Sequence, residues 1–600
     1  MTGESAGGAR PPVTRTARIA FALVAVAAVG GLYVAQRLRH SEPVVLGVRR
    51  TAAFSPTGLG PRHAAVSFYL KRSDTAAVSV VDIQGDQVRS ISPGTKVGAR
   101  RRVVFVWDGR DSAGEIPADG TYRFRIGLAR QGRSLTVPNG VRLDTKPAQP
   151  VVTRVLPAHG PGPLILPGPK QAVGVVSGTP GHDVEGFILR TDISPAKVVR
   201  RFRLPDRPAR ITWDGKVNGR PAVDGTYLLG LTETDSAGNR GSTPQHQFPV
   251  AGPTRGRAGV TVRHLGVAVP QLPARPGGIV STRVDARGRD WTWSLAPALG
   301  GKVLKKGKGR GNVIRLRVPL KARGLLTLAV AAKPYRVEVP IGVETGRRPL
   351  LVVLPAIRWQ ALAPVDATGD GLPDWLELGR SVALGRLLPP LSGGLNGLNS
   401  QVTPLLRALA ATGLAYDVTT DIALTKGRGP RLEGHRGVVL AGEETWLTEP
   451  CLKRLRERVI AGGRLLDLGI DALRRTVVIK GDVVSAPSRA TEANALGAVI
   501  SEPSVSADYL LQWKDDLGLF ATIGGRVFAP VGWRGTSRLI GSTKLLSAAG
   551  PQSGISGIAA WRLGKGVVIR PGIPGMAALA VQGPTALAVL SRALVITAGR

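Results

Sequence analysis

Four carboxylates fall within twelve residues in Asp366-Ala367-Thr368-Gly369-Asp370-Gly371-Leu372-Pro373-Asp374-Trp375-Leu376-Glu377. Aligned on a calcium loop, Asp stands at positions 1, 5 and 9, Gly at 6 and Glu at 12, with Thr368 at position 3. Calcium requires hard oxygen ligands around a sharp turn, which glycine permits. The candidate ligands are Asp366, Thr368, Asp370, Asp374 and Glu377, and calcium is the one cofactor the residues suggest. Pro364 before the loop and Pro373 within it fit poorly with flanking helices. The same residues also read as a structural acidic turn.

A second group, Glu443, Glu444 and Asp471, with Asp467 nearby, supplies paired carboxylates suited to general acid–base work. No nucleophile joins these catalytic candidates. The single cysteine, Cys451, falls inside a helical pattern and reads as a small buried apolar residue. One cysteine also excludes an intramolecular disulfide and a cysteine-based zinc cluster. His435 is the last histidine, so neither a Cys–His dyad nor a Ser…Asp…His order can be completed after it. A third group is basic: Lys302, Lys305, Lys306, Lys308 and Arg310 make the densest cationic cluster. Its functional reading is contact with a polyanion, such as an acidic envelope polymer or lipid head groups. Its bland reading is a solvated, glycine-rich hairpin tip.

The chain that must position these groups has 600 residues, enough for several cores. Lys and Arg number 81 against 41 Asp and Glu, a net charge of +40. With 43% hydrophobic residues it is not a disordered tail, and 78 Gly and 46 Pro are spread as turn residues. Aromatic residues are only 4%, which disfavours a stacking platform and makes nucleic acid an unlikely partner. Ile19 to Ala35 is free of charge, with Arg15 and Arg18 before it and Arg37 and Arg39 after it. The expectation is a short cytoplasmic tail over 1–16 and a transmembrane signal anchor over 17–36. The bulk of the chain then lies outside the cell membrane, and a cleaved signal peptide is the alternative.

Two segments repeat. Trp107-Asp108-Gly109-Arg110 runs on to Ala118-Asp119-Gly120-Thr121-Tyr122; Trp213-Asp214-Gly215-Lys216 runs on to Val223-Asp224-Gly225-Thr226-Tyr227. Each reads as strand, turn, strand, with Asp-Gly supplying the positive-φ position. The first strand is taken to face inward through Val104 and Val106 in one copy, and through Ile211 and Trp213 in the other. Strands at this spacing predict β-sandwiches over 44–147 and 150–252. The Trp-Asp-Gly and Asp-Gly-Thr-Tyr pieces, with Phe54-Ser55-Pro56 at the entry, resemble the Ig-like domain of the flagellar hook-capping (FlgD-type) family. That resemblance implies a spacer or binding module, with the Trp and Asp as core plug and turn acceptor. Further strand-like runs, from Val260-Thr261-Val262 to Tyr335-Arg336-Val337-Glu338-Val339, predict a third sandwich over 256–346.

From Leu350 the pattern changes to apolar strands alternating with helices, the mark of a parallel α/β sheet over 348–600. Helices are expected at about 403–412, capped by Thr403, at about 448–461, and at about 576–597. Val438-Val439-Leu440-Ala441-Gly442-Glu443-Glu444-Thr445-Trp446 and Leu466-Asp467-Leu468-Gly469 resemble the flavodoxin-like fold of class I glutamine amidotransferases. They are more similar to the C-terminal region of the N,N-dimethylformamidase large subunit. In amidotransferases a cysteine nucleophile follows the strand matching 465–469; Asp471 falls near that position here. The formamidase relatives associate a tyrosine and a glutamate of the matching loop with iron. Glu444 and Trp446 match that loop, but Thr445 stands at the tyrosine position and Glu443 at the histidine position. The combined reading is an anchored envelope protein whose sandwiches present a non-catalytic amidotransferase-like domain to an unknown protein or polymer. The alternative is a metal-dependent amide hydrolase.

Overall fold

A computed structural model describes residues 15–39, 44–156, 164–166, 172–177, 182–204, 210–243, 258–346, 348–391, 394–551 and 554–600. The chain divides into two compact units, Met1–Ala148 with Thr234–Gly241, and Gln149–Glu233 with Ser242–Arg600.

In the first unit, residues Arg15–Arg39 form one α-helix. The side chains described in it, Ile19 to Leu32, are all exposed. The helix has 25 residues, about 37 Å at 1.5 Å per residue. Among the described residues no helix is long and apolar enough to cross a membrane, so the span expected at 17–36 is not found there.

The rest of this unit is a β-sandwich. Strands Val45–Arg50, Ala64–Leu70 and Arg102–Trp107 make one sheet; Gly120–Leu128 and Asp74–Val81 are central in the other. Phe105 and Trp107 point into the core, while Val104 and Val106 are exposed, opposite to expectation. The indole of Trp107 decides the phase. Its Nε1 donates to Arg110 O at 2.8 Å, and its ring packs 5.1 Å from Tyr122. A one-residue shift would turn every side chain of the strand over.

The second unit opens with a copy of this sandwich. Trp213 Nε1 donates to Lys216 O at 2.8 Å, and its ring lies 5.0 Å from Tyr227. Tyr227 Oη donates to Val223 O at 2.7 Å, as Tyr122 Oη does to Ala118 O at 2.6 Å. Asp108 and Asp214 accept from the backbone two residues on, and Gly109 and Gly215 take φ of 79° and 76°. The Trp and Asp are thus structural, as the repeat implied. Strand Gly259–Val262, expected in the third sandwich, belongs to the second. It pairs with Gly225–Thr234 and with Leu164–Leu166, as Val141–Leu143 pairs with Gly120–Leu128 and Ala53–Phe54 in the first copy.

The third sandwich stacks Val313–Arg317, Ile279–Asp285 and Gly266–Ala268 on a sheet ordered Lys305–Gly309, Trp291–Pro297, Gly324–Ala332, Tyr335–Val343. Its core is continuous with that of the C-terminal region, so residue 346 does not divide two cores. Asp417 secures the join. It accepts from Thr345 N, Thr345 Oγ1 and Gly346 N, and from His435 at 3.1 Å.

The C-terminal region is built on five parallel strands: β1 (Leu350–Leu354), β2 (Tyr416–Thr420), β3 (Gly437–Leu440), β4 (Arg464–Asp467) and β5 (Gly566–Pro571). Their order is β2-β1-β3-β4-β5. Antiparallel strands Ile558–Leu563, Thr543–Gly550, Asp508–Asp515 and Val527–Ala529 extend the sheet beyond β5. Every residue of β1 is buried, as a strand covered on both faces requires. Two helix expectations change. Thr403 is not a cap, because a π-helical turn, Leu398–Val402, leads straight into the helix Thr403–Ala411. The last helix is broken at Gly583-Pro584 into Met576–Gln582 and Pro584–Thr597, since proline cannot donate within a helix.

The Trp–Tyr plug yields a prediction. Trp213→Ala is expected to destabilise the second unit by about 3–5 kcal/mol, read as a lower urea midpoint. Tyr227→Phe, which removes only the bond to Val223 O, should cost about 1 kcal/mol. Equal losses would show that ring packing does not dominate.

Candidate functional site

Ligands of parallel α/β sheets sit beyond the carboxyl ends of the strands, and the acidic candidates gather there. Asp421 follows β2, Glu443 and Glu444 follow β3, and Asp467 ends β4 with Asp471 beyond it. Arg570 lies on β5. Asp421 and Arg570 were not singled out from the sequence, though the end of a parallel strand is a position that could have pointed to them.

Most of these groups are committed to the fold. Glu443 accepts from Ile470 N at 2.8 Å and Asp471 N at 3.2 Å, tying the loop after β3 to the loop after β4. Asp471 is held by Arg474 at 2.5 Å and Arg534 at 3.3 Å. Asp421 accepts from Ile357 N and Ile422 N. Arg570, fully buried, donates to Ile470 O at 2.6 Å and Arg534 O at 2.9 Å. The Thr445 hydroxyl accepts from Arg358 at 2.6 Å. Cys451 is buried in the helix Glu449–Ile460, and burial pushes its thiol up to about 11, so it is inert at neutral pH.

Glu444 is the exception. It is 1% exposed, and neither carboxyl oxygen has a hydrogen-bond partner. Burial first, and then the neighbouring Asp421 and Asp467, hold it well above the usual carboxylate range. Burial likewise raises Asp421 to about 8 and Asp467 to about 7, the latter opposed by Arg570. Asp467 Oδ2 stands 3.9 Å from Arg570 Nε, and both atoms lack a hydrogen bond. The result is a set of carboxyl groups that burial biases toward the protonated form. Such a set can donate protons or hydrogen bonds.

These residues do not fit the iron of the formamidase relatives. Thr445 offers no phenol and Glu443 no imidazole, and both are already bonded. Among the described residues, no group of three or more His, Cys, Asp or Glu could hold a metal ion.

The acidic loop does not fit calcium either. Asp366, 2% exposed, spends one oxygen on Gly369 N at 2.6 Å and the other on Gly371 N at 2.8 Å. Burial raises it to about 6. Asp374 accepts from Ala367 N at 2.6 Å, and Thr368 Oγ1 turns toward Asp366 at 3.2 Å. Arg380 bridges Asp370 at 2.8 Å and Asp374 at 3.4 Å, while Glu377 is exposed. An arginine occupies the charge-balancing role a cation would have. The loop also bonds the second sandwich, through Thr191 Oγ1 to Gly371 O at 2.6 Å and Gly259 N to Gly369 O at 3.2 Å. This is the structural turn.

The basic cluster is not a hairpin tip. Lys305, Lys306 and Lys308 lie on the edge strand Lys305–Gly309, with Gly307 against the Trp293 indole and Gly309 against Trp291. Lys302 is an exposed loop residue, and Arg310 lies 3.8 Å from Asp290.

The paired tryptophan and tyrosine of the first sandwich now meet their relatives. Residues 58–132 are a FlgD Ig-like domain. A crystal structure of FlgD from P. aeruginosa is 26% identical over 16% of this chain and 66% of that one, with a TM-score of 0.13. Fibronectin(III)-like modules of Clostridium thermocellum CbhA match 36% of this chain and 93% of theirs at 12% identity, TM-score 0.17. A β-galactosidase from Bacillus circulans sp. alkalophilus matches 42% of this chain at 13% identity, TM-score 0.25, and only 31% of its own length is covered. No curated protein matches the chain. The sheets themselves make the chain multidomain and mostly β-sandwich, with helices few.

Three outcomes are expected. A carboxyl that keeps its proton in the fold but loses it when unfolded leaves the unfolded chain with fewer protons, so stability falls as pH rises above its ordinary value. For Glu444, Asp467 and Asp421 that fall runs from about pH 4–5 to at least pH 7, at up to about 1.4 kcal/mol per pH unit for each group. Glu444→Gln should flatten the decline in melting temperature; an unchanged slope would show that Glu444 is not protonated in the fold. Arg380→Ala should cost about 3 kcal/mol by removing the ion pairs to Asp370 and Asp374. Calcium at about millimolar concentration should leave the melting temperature of the unaltered protein where it is, and a rise would return the loop to calcium.

Proposed function

We propose that this is a cell-envelope protein, anchored by the helix Arg15–Arg39, in which FlgD-type sandwiches carry a non-catalytic α/β domain that binds a partner or polymer. The strand order β2-β1-β3-β4-β5 supports reading that domain as flavodoxin-like, in the manner of class I glutamine amidotransferases and the formamidase large subunit. The observation that carries the non-catalytic reading is how the strand-end groups are used. Glu443 and Asp471 bind amides and guanidiniums, Thr445 binds Arg358, and the only thiol is buried. A site spent on holding its own loops has little left to bond a transition state. The anchor is supported by Ile19, Phe21, Leu23, Val24, Val26, Val29 and Leu32, each at least 60% exposed, an apolar surface that water does not favour.

Membrane fractionation of the full chain tests this. It should resist high-salt and carbonate washes, dissolve in detergent, and become washable when Val24 and Val26 are both changed to Asp. Release of the unaltered chain by salt alone would overturn the anchor. Glu444, raised by burial and without a hydrogen-bond partner, favours a second reading, an amide hydrolase that uses it as general acid. Purified protein supplied with iron or zinc should not hydrolyse N,N-dimethylformamide; turnover lost in Glu444→Gln would establish the second reading.

A further inference from the structure

The sheet that carries the basic cluster has an outer face built as a trough. Cross-strand register sets Lys308, Thr292, Ala331 and Arg336 in one row across four strands. The next row is Lys306, Ser294, Ala329 and Glu338. Long side chains thus stand on the two outer strands and small ones on the two inner strands. The groove between them has a volume of about 510 Å³. Its walls are about 14 Å apart, three strand spacings, and its rows about 7 Å apart along the strands.

The two walls differ. Lys306 and Lys308 are exposed and have no acidic partner among the described residues. Arg336 is paired with Glu338, its Nη2 and Nε both within 3 Å of Oε1. The floor hydroxyls of Thr292 and Ser294 make no hydrogen bond to any described residue. Trp293 also lines the groove; it is half-buried, packed against the core and paired opposite Val330, so the groove holds one aromatic residue and no run of rings for successive bases to stack on. A trough also suits a chain better than a flat membrane.

We propose that this trough binds a linear acidic polysaccharide, which gives the polymer-binding part of the function above a defined place and rests on that reading. Lys306 and Lys308 take the carboxylates. Thr292, Ser294 and the Arg336–Glu338 pair take hydroxyls, for which a donor and an acceptor side by side are suited. The Arg336–Glu338 pair leaves that wall without surplus positive charge, which favours a sparsely charged polymer over a densely charged one such as polyphosphate. Lys302, Lys305 and Arg310 lie outside the two rows and contribute only long-range attraction.

The test uses the full chain in detergent with polygalacturonate as probe, by calorimetry at fixed salt. Lys306→Gln with Lys308→Gln should weaken binding at least about tenfold. Lys302→Gln with Arg310→Gln, an equal loss of charge, should change it less than about twofold. Thr292→Val with Ser294→Ala, which keeps every charge, should also weaken it. Equal weakening by the two charge pairs would overturn the trough in favour of diffuse charge. Tighter binding to polyphosphate, or to vesicles containing phosphatidylglycerol, would overturn the polysaccharide assignment, as would no binding at all. Membrane fractionation reads the anchor independently, so a failed trough and a failed anchor are told apart.

Discussion

The second unit depends on the burial of one carboxylate, Asp366. Both its oxygens are capped by amides of its own loop, which sets the loop's path between the second sandwich and the α/β region. Gly259 can pass only because it has no side chain; a Cβ there would collide with Gly371 N, Gly369 O and Asp366 itself. Gly371, at φ 82°, packs against Leu228 under the same constraint. Arg380 and Arg386 then neutralise the remaining carboxylates, and Arg386 is buried deeply enough to be lowered to about 10. A free acidic loop would be a metal site in waiting. Here the charge balance is internal, and the loop serves as a joint.

What could be read from the chain was what is local in it. The Trp-Asp-Gly turn and its tyrosine lie close together in sequence, and each bond they make stays within a few residues, so the repeat announced both sandwiches. The inward phase of Arg102–Trp107 was missed because valines and aromatics alternate there, and either set could fill a core. The indole's bond to Arg110 O settles the matter, and that bond needs the turn to be built first. Strand Gly259–Val262 was assigned to the wrong sandwich because its partner, Gly225–Thr234, is far off in sequence, unlike the near neighbours Gly120–Leu128 and Val141–Leu143.

The acidic candidates were legible as residues and illegible as a site. Sequence spacing placed Glu443, Glu444 and Asp471 near strand ends, and the parallel sheet does bring them there. What spacing could not give is which carboxylate meets an amide, which meets an arginine, and which meets nothing. Glu443 and Glu444 are neighbours in the chain with opposite surroundings, because successive residues of an extended loop point to opposite sides. One closes a loop; the other is buried without a hydrogen-bond partner, and burial favours its protonated form. The calcium pattern meets a related difficulty. The pattern of oxygens was present, but Arg380 and Arg386, which balance it, lie outside the motif.

Burial also takes several carboxylates of the second unit off its surface. Asp366, Asp374, Asp417, Asp421, Glu444 and Asp467 are all buried, where they hold loops or keep their protons. Carboxylates withdrawn in this way cannot offset surface lysine and arginine. The surplus charge is therefore outward, but it is not uniform. Glycine in alternate positions of Lys305–Gly309 lets the strand lie close to Trp291 and Trp293 on the core side, which commits Lys306 and Lys308 to the other side. A run that looks like unstructured charge is thereby given a direction by the aromatic core beneath it.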